Sequence, residues 1–365
     1  MIPVVGGSSS TSAGHDRSIP SLDGLRALSV LTVILAHSSW YIPEVVRENS
    51  FYRFGLGNSR SGVTVFFVIS GFLITNLLLR ELDKTGNISL RHFYFRRSMR
   101  IFPAFYLYLL MIAGLWICHV IPQDPRSFLA ALTYTWCYYP QAQGYFLQHS
   151  WSLSIEEQFY LFWPALLVAL YGKNQIIRAT VLLILLMPLV RLFFYFRYPS
   201  LRGYEYYLIY GWLDTMMVGC LLALINRRSY FVRWKGRYMN AWTASAMAAV
   251  AFYLNPAFNA LLPKPYSGFY ALVIYPVTTA ICITGTLLYL VEHSETMVGR
   301  LLNLGWLRQI GILSYSLYLW QQILMSEHLH LLPYGYLYLL VAAALSFWLV
   351  EKPFLQLRAW IEARD

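Results

Sequence analysis

Runs of about twenty apolar residues recur along the whole chain, separated by short polar connections. A helix of that length crosses the roughly 30 Å hydrocarbon core of a bilayer. Charged residues make up only 12% of the 365 and hydrophobic residues 58%, where a soluble domain carries roughly 25% charge. The pattern predicts an all-α, polytopic integral membrane protein. The same pattern predicts one membrane domain over 22–353, a flexible N-terminal tail (1–21), a short C-terminal tail (354–365) and no soluble partner domain.

Ten spans are expected: 22–41, 62–79, 102–121, 150–170, 179–196, 208–226, 239–255, 268–291, 309–327 and 335–351. The twelve residues 128–139, "FLAALTYTWCYY", reach roughly 18 Å as a helix, too short to cross. With that segment lying in the interface or re-entering, nineteen of the 28 basic residues fall on one side and seven on the other. Arg26 and Arg191 lie inside spans. The richer side reads as cytoplasmic, which places both termini there. The net charge of +11 therefore belongs to loops beside spans, and lipids rather than nucleic acid are the expected partner. The opening "MIPVVGGSSSTSAGHDR" has no signal-peptide pattern. Cys118, Cys137, Cys220 and Cys282 have no metal-ligand spacing, so no metal is expected and all four read as buried packing residues. No inverted repeat stands out.

Ionisable side chains inside spans usually face a cavity or a partner. Arg26 and His37 are eleven residues apart on the first span. That spacing is about 20° from a common face, with a rise of about 16 Å. Counting along the proposed topology brings Glu157 to the depth of His37, with Asp214, Arg191 and Gln321 as further members of a polar chamber. Each has a plainer reading. Arg26 also reads as a snorkelling side chain, His37 as a helix-packing contact, and Asp214 with Arg191 as a structural ion pair. On the cytoplasmic side Arg97 and Arg100, three apart and next to Arg96, form a guanidinium pair suited to phosphate oxygens, or an ordinary positive-inside patch.

These residues also carry a resemblance. "IPSLDGLRALSVLTVILAH" (19–37), "GVTVFFVISGFLITNLLLRE" (62–81), Arg97-Ser98-Met99-Arg100, "WSLSIEEQFYLFWP" with Ser154, Glu157 and Tyr160, and "GILSYSLYLWQQ" (311–322) together resemble the membrane acyltransferase-3 family. The resemblance runs from about Ile19 to Pro353. It implies transfer of an acyl group, acetyl by default, from cytoplasmic acyl-coenzyme A to a hydroxyl of a carbohydrate or another acceptor. Acyl-coenzyme A is then a co-substrate, with no metal. A histidine often follows the late Trp in the family, whereas Gln321 follows Trp320 here, leaving the proton transfer to His37. Many relatives add an extracytoplasmic hydrolase-like domain, which is not expected here.

Joined to the residue reading, the resemblance implies donor contacts from Arg26, Arg97, Arg100 and Arg96. His37 would be the general base, with Glu157 orienting its imidazole. Ser154, Tyr160, Asp214, Arg191 and Gln321 would position the acceptor or the oxyanion. The expected location is a bacterial cytoplasmic membrane. The acceptor reads as a surface or lipid-linked polysaccharide, or alternatively a small macrolide-like metabolite. A proton-coupled transporter or flippase would use the same buried groups, and a structural or sensing membrane protein would need none of them.

Overall fold

The computed structural model describes residues 21–139, 144–173 and 175–364; the expected N-terminal tail, apart from Ser21, lies outside them. The described residues are helical, with no strand. The principal helices are α1 (Leu22–His37), α2 (Ser59–Thr85), α3 (Leu90–Ile117), α4 (Pro125–Leu132), α5 (Ser150–Tyr171), α6 (Ile176–Arg197), α7 (Leu213–Ile225), α8 (Ser229–Tyr238), α9 (Ala241–Ala249), α10 (Lys264–Val273), α11 (Tyr275–Glu292), α12 (Gly305–Ile312), α13 (Ser314–Leu324), α14 (Gly335–Ser346) and α15 (Lys352–Glu362).

Six described stretches are long and apolar enough to cross a membrane: Ser59–Thr85, Leu90–Ile117, Tyr145–Tyr171, Ile176–Arg197, Tyr275–Glu292 and Gly335–Glu362. The chain is an all-α polytopic membrane protein. The other four expected spans fall on shorter or interrupted helices. α1 stops at His37 rather than 41, where the Ser38 hydroxyl donates to the Ile34 carbonyl (2.9 Å). Of 208–226 only the 13 residues of α7 are α-helical, because Arg191 takes the Tyr210 and Gly211 carbonyls ahead of it. The 239–255 run passes from α9 into a π turn (Val250–Leu254) just before Pro256, whose missing N–H cannot continue the ladder. The 309–327 run breaks between α12 and α13. Segment 128–139 is divided between α4 and a 3-10 turn at Trp136–Tyr138. The last helix outruns its expected end, continuing through a π turn at Phe347–Glu351 into α15.

α2 is the central helix, buried along most of its apolar stretch. It lies close to α7 because both present glycine at the crossing. A Cβ on Gly71 would collide with the Met216 carbonyl, and one on Gly219 with the Val68 carbonyl. Small residues that let backbones approach are the means by which helices associate in lipid, where apolar burial gives no drive. Gly62 likewise admits α1, against the Ser29 carbonyl. A hydrogen bond from the Trp163 indole to Thr75 (2.8 Å) joins α5 to α2.

The turn from α2 to α3 fixes the arginine cluster. Gly86, at φ 74°, closes α2 in the left-handed conformation, and Ser89 caps α3. Glu81 accepts from the Ser89 N–H (2.8 Å) and from Arg96 (2.8 Å), so the first turns of α3 are tied to the end of α2. Cys137 and Cys220 are buried as expected, whereas Cys118, just past α3, is exposed.

Candidate functional site

Two cavities meet at the centre of the bundle. One, of about 100 Å³, is lined by Arg26, Arg97 and Arg100 together with Glu156, Glu157 and Tyr160. The other, of about 450 Å³, is lined by His37 and His149, with Arg60, Gln148, Gln322 and several aromatic rings. Val63 and Tyr318 belong to both walls. α1 thus reaches the first cavity through Arg26 and the second through His37.

Helical spacing explains the wall contributed by α5. Ser152, Glu156 and Tyr160 recur four apart and face the arginine-lined cavity, with Leu153 and Glu157 beside them. Glu156 accepts from the Ser70 hydroxyl (2.9 Å), and Tyr160 donates to the same hydroxyl (3.1 Å). The Arg97 guanidinium stacks over the Tyr160 ring at 5.0 Å. Arg26 and Arg97 are half-buried and Arg100 is exposed, so the guanidiniums run from the surface inward. Ser152 and Tyr318 share a hydroxyl–hydroxyl bond of 2.6 Å, which pins the ring that stands in both walls.

In the larger cavity His37 bonds through Nδ1 to the Val33 carbonyl at 2.9 Å. A carbonyl only accepts, so in neutral His37 Nδ1 carries the proton and Nε2 presents its lone pair. His149 is buried, and among the described residues neither of its ring nitrogens has a hydrogen-bond partner. Buried polar atoms normally find partners, and these two lie in the wall of a cavity large enough for a ligand.

Several expected placements are corrected. Glu157 does not meet His37: it lines the arginine side, and its Oε1 has no partner. His37 stands beside Gln148, His149 and Trp151 at the head of α5, whereas Glu157 lies roughly 10 Å further along that helix. The Val33 carbonyl orients the imidazole instead. Asp214 and Arg191 line neither cavity. They form a buried ion pair (2.6 Å) whose guanidinium also donates to the carbonyls of Tyr210, Gly211 and Leu272. The pair ties α6 to α7 and to the end of α10. Ser154 donates back to the Ser150 carbonyl (2.8 Å) and lies two residues, about 200°, from both Ser152 and Glu156, away from the cavity. Gln321 is buried outside both walls with Oε1 unpartnered, and its neighbour Gln322 faces the larger cavity. Arg96 points outward, paired with Glu81 at 2.8 Å and with Glu362 at 3.8 Å. Arg26, Arg97, Arg100 and Tyr160 do come together.

Sequence reasoning missed Glu156, Ser70, Tyr318, His149, Arg60 and Gln322. Glu156 and Ser152 were legible as a four-residue repeat through Tyr160. His149 stands at the head of the "HSWSLSIEEQ" run, where its place beside the first span depends on tertiary packing.

A family described as "Acyltransferase domain" matches residues 19–351. The chain belongs to that family. It is 31% identical over 335 residues to a provisionally named O-acetyltransferase of Staphylococcus aureus (strain COL), covering 85% of this chain and 51% of that protein. It is 30% identical over 329 residues to the peptidoglycan O-acetyltransferase OatA of Listeria monocytogenes, covering 83% of this chain and 48% of the relative. A provisionally named peptidoglycan O-acetyltransferase of Bacillus subtilis, YrhL, is 30% identical over 329 residues, covering 84% and 48%. The chain spans about half the length of these curated relatives. No solved structure matches it.

Proposed function

We propose that the protein transfers an acyl group, acetyl by default, from cytoplasmic acyl-coenzyme A to a hydroxyl of a glycan acceptor on the other side of a bacterial cytoplasmic membrane. The chain crosses ten times, with both termini cytoplasmic. The observation that carries this reading is the pair of cavities with a common wall, one presenting guanidiniums and the other imidazoles, both reached by α1. Arg100 at the mouth and Arg97 and Arg26 further in suit the phosphates of the donor. The narrowness of that cavity suits a slender arm rather than a bulky acceptor. The names of the relatives support a glycan acceptor, and the wider aromatic-walled cavity has room for sugar rings.

In this mechanism the acceptor hydroxyl attacks the thioester carbonyl while Nε2 of neutral His37 takes its proton. The tetrahedral adduct collapses, the C–S bond breaks, and the leaving coenzyme thiolate takes the proton from Nε2 of the His37 imidazolium, which restores the neutral ring. The ester oxygen comes from the acceptor. Nδ1–H stays on the Val33 carbonyl throughout, so the imidazolium is formed already oriented.

The test uses purified protein, acetyl-coenzyme A labelled in the acetyl group, and a soluble glycan, with products identified by mass spectrometry. Label on the glycan hydroxyl is expected. Movement of glycan or protons across a vesicle membrane without ester formation would replace this reading with transport.

A further inference from the structure

The histidine-lined cavity has an uncompensated charge. Its wall contains Arg53, Arg60, His37 and His149 and, among the described residues, no aspartate or glutamate. Among the described residues neither Arg53 nor Arg60 has a carboxylate within ion-pair distance. The contrast with the rest of the bundle is specific. Buried Arg191 has Asp214, and the three arginines of the other cavity share it with Glu156 and Glu157.

Arg60 is held in an aromatic cage, with its guanidinium 4.5 Å from the Tyr275 ring centroid, 5.7 Å from Trp212 and 5.8 Å from Tyr206. Ring faces steady a cation without neutralising it. They leave the planar fork of donors free, and that fork matches carboxylate or phosphate oxygens. His149, buried in the same wall with both ring nitrogens unpartnered, is a second polar group waiting for a ligand.

We propose that Arg60 is an anion subsite and that the acceptor is an acidic glycan unit, a sugar bearing a carboxylate or a phosphate near the hydroxyl to be acylated. This rests on the reading of the larger cavity as the acceptor site. Arg60 binds the charge, the aromatic walls bind the ring faces, and the hydroxyl is directed to His37. Arg60 is a specificity residue and takes no part in proton transfer.

The experiment measures acetyl transfer by the purified full chain to N-acetylglucosamine, N-acetylmuramic acid and N-acetylglucosamine 1-phosphate. These acceptors share a hydroxylated ring and differ in carrying no charge, a carboxylate or a phosphate. At least one charged sugar is expected to be used about tenfold or more better than the neutral one, and the one preferred identifies the anion. Arg60→Gln should lower kcat/KM for that sugar by about 10–100-fold, mainly through KM. Arg60→Lys should fall between. Transfer to the neutral sugar should fall by at least about tenfold less than transfer to the charged one, and detergent-solubilised Arg60→Gln should stay monodisperse, which separates lost anion recognition from lost folding. Equal use of charged and neutral sugars, or an equal loss for both in Arg60→Gln, overturns the subsite and leaves the acyltransferase reading standing. No transfer to any of the three overturns both.

Discussion

Replacing Asp214 with alanine separates a structural ion pair from a catalytic one. Arg191 is 2% exposed and Asp214 fully buried, at 2.6 Å. In Asp214→Ala the guanidinium keeps its bonds to the Tyr210, Gly211 and Leu272 carbonyls but loses its counter-charge. Breaking one side of a buried pair costs about 3–5 kcal/mol, roughly 10²–10⁴ in the folding equilibrium. Replacing both partners with apolar residues of similar volume, Arg191→Met with Asp214→Leu, should recover part of that loss, because no unpaired charge remains although the Tyr210, Gly211 and Leu272 carbonyls lose their donor. The assay is unfolding of purified protein in a mild detergent, read by loss of tryptophan signal and of monodispersity. Acceptor KM is measured on the fraction that stays folded. The expected result is a large stability loss in the single variant, partial recovery in the double, and an unchanged KM. Wild-type stability with a raised acceptor KM would refute the reasoning and return the pair to the active site.

Arg97→Ala should raise the KM for acyl-coenzyme A by about tenfold or more, since it removes a guanidinium from the cavity wall. Arg96→Ala, which breaks only partly exposed pairs with Glu81 and Glu362, should leave that KM within about twofold. Steady-state kinetics with varied donor distinguishes them. Gly219→Leu places a side chain against the Val68 carbonyl, a backbone atom that cannot turn aside. It should cost at least about 1–3 kcal/mol and lower the yield of monodisperse protein.

The apolar runs alone made the fold class legible, because length against bilayer thickness is a strong constraint. The same runs misjudged where helices end. The Ser38 back-bond that accompanies the end of α1, and the use of the Tyr210 and Gly211 carbonyls by Arg191, are side-chain interactions with no trace in hydropathy. Those few residues mattered for the site. Counting from misplaced span ends put His37 at the level of Glu157, whereas it stands beside His149 and Trp151 at the head of α5. Arg26, Arg97 and Arg100 converge because a tight capped turn joins α2 to α3, and the cap residues Gly86 and Ser89 are visible in the chain. His149, Gln322 and Arg60 converge only through the packing of separate helices, which single-chain periodicity does not encode.

The most direct test of the account is the chemical step in His37→Asn. The asparagine amide can keep a donor toward the Val33 carbonyl but offers no base where Nε2 stood. In single-turnover transfer from acyl-coenzyme A, the variant should bind donor as the wild type does and lose about 10²–10⁴-fold in rate. A folded His37→Asn that transfers the acyl group within about tenfold of the wild-type rate would contradict the assignment of proton transfer to His37.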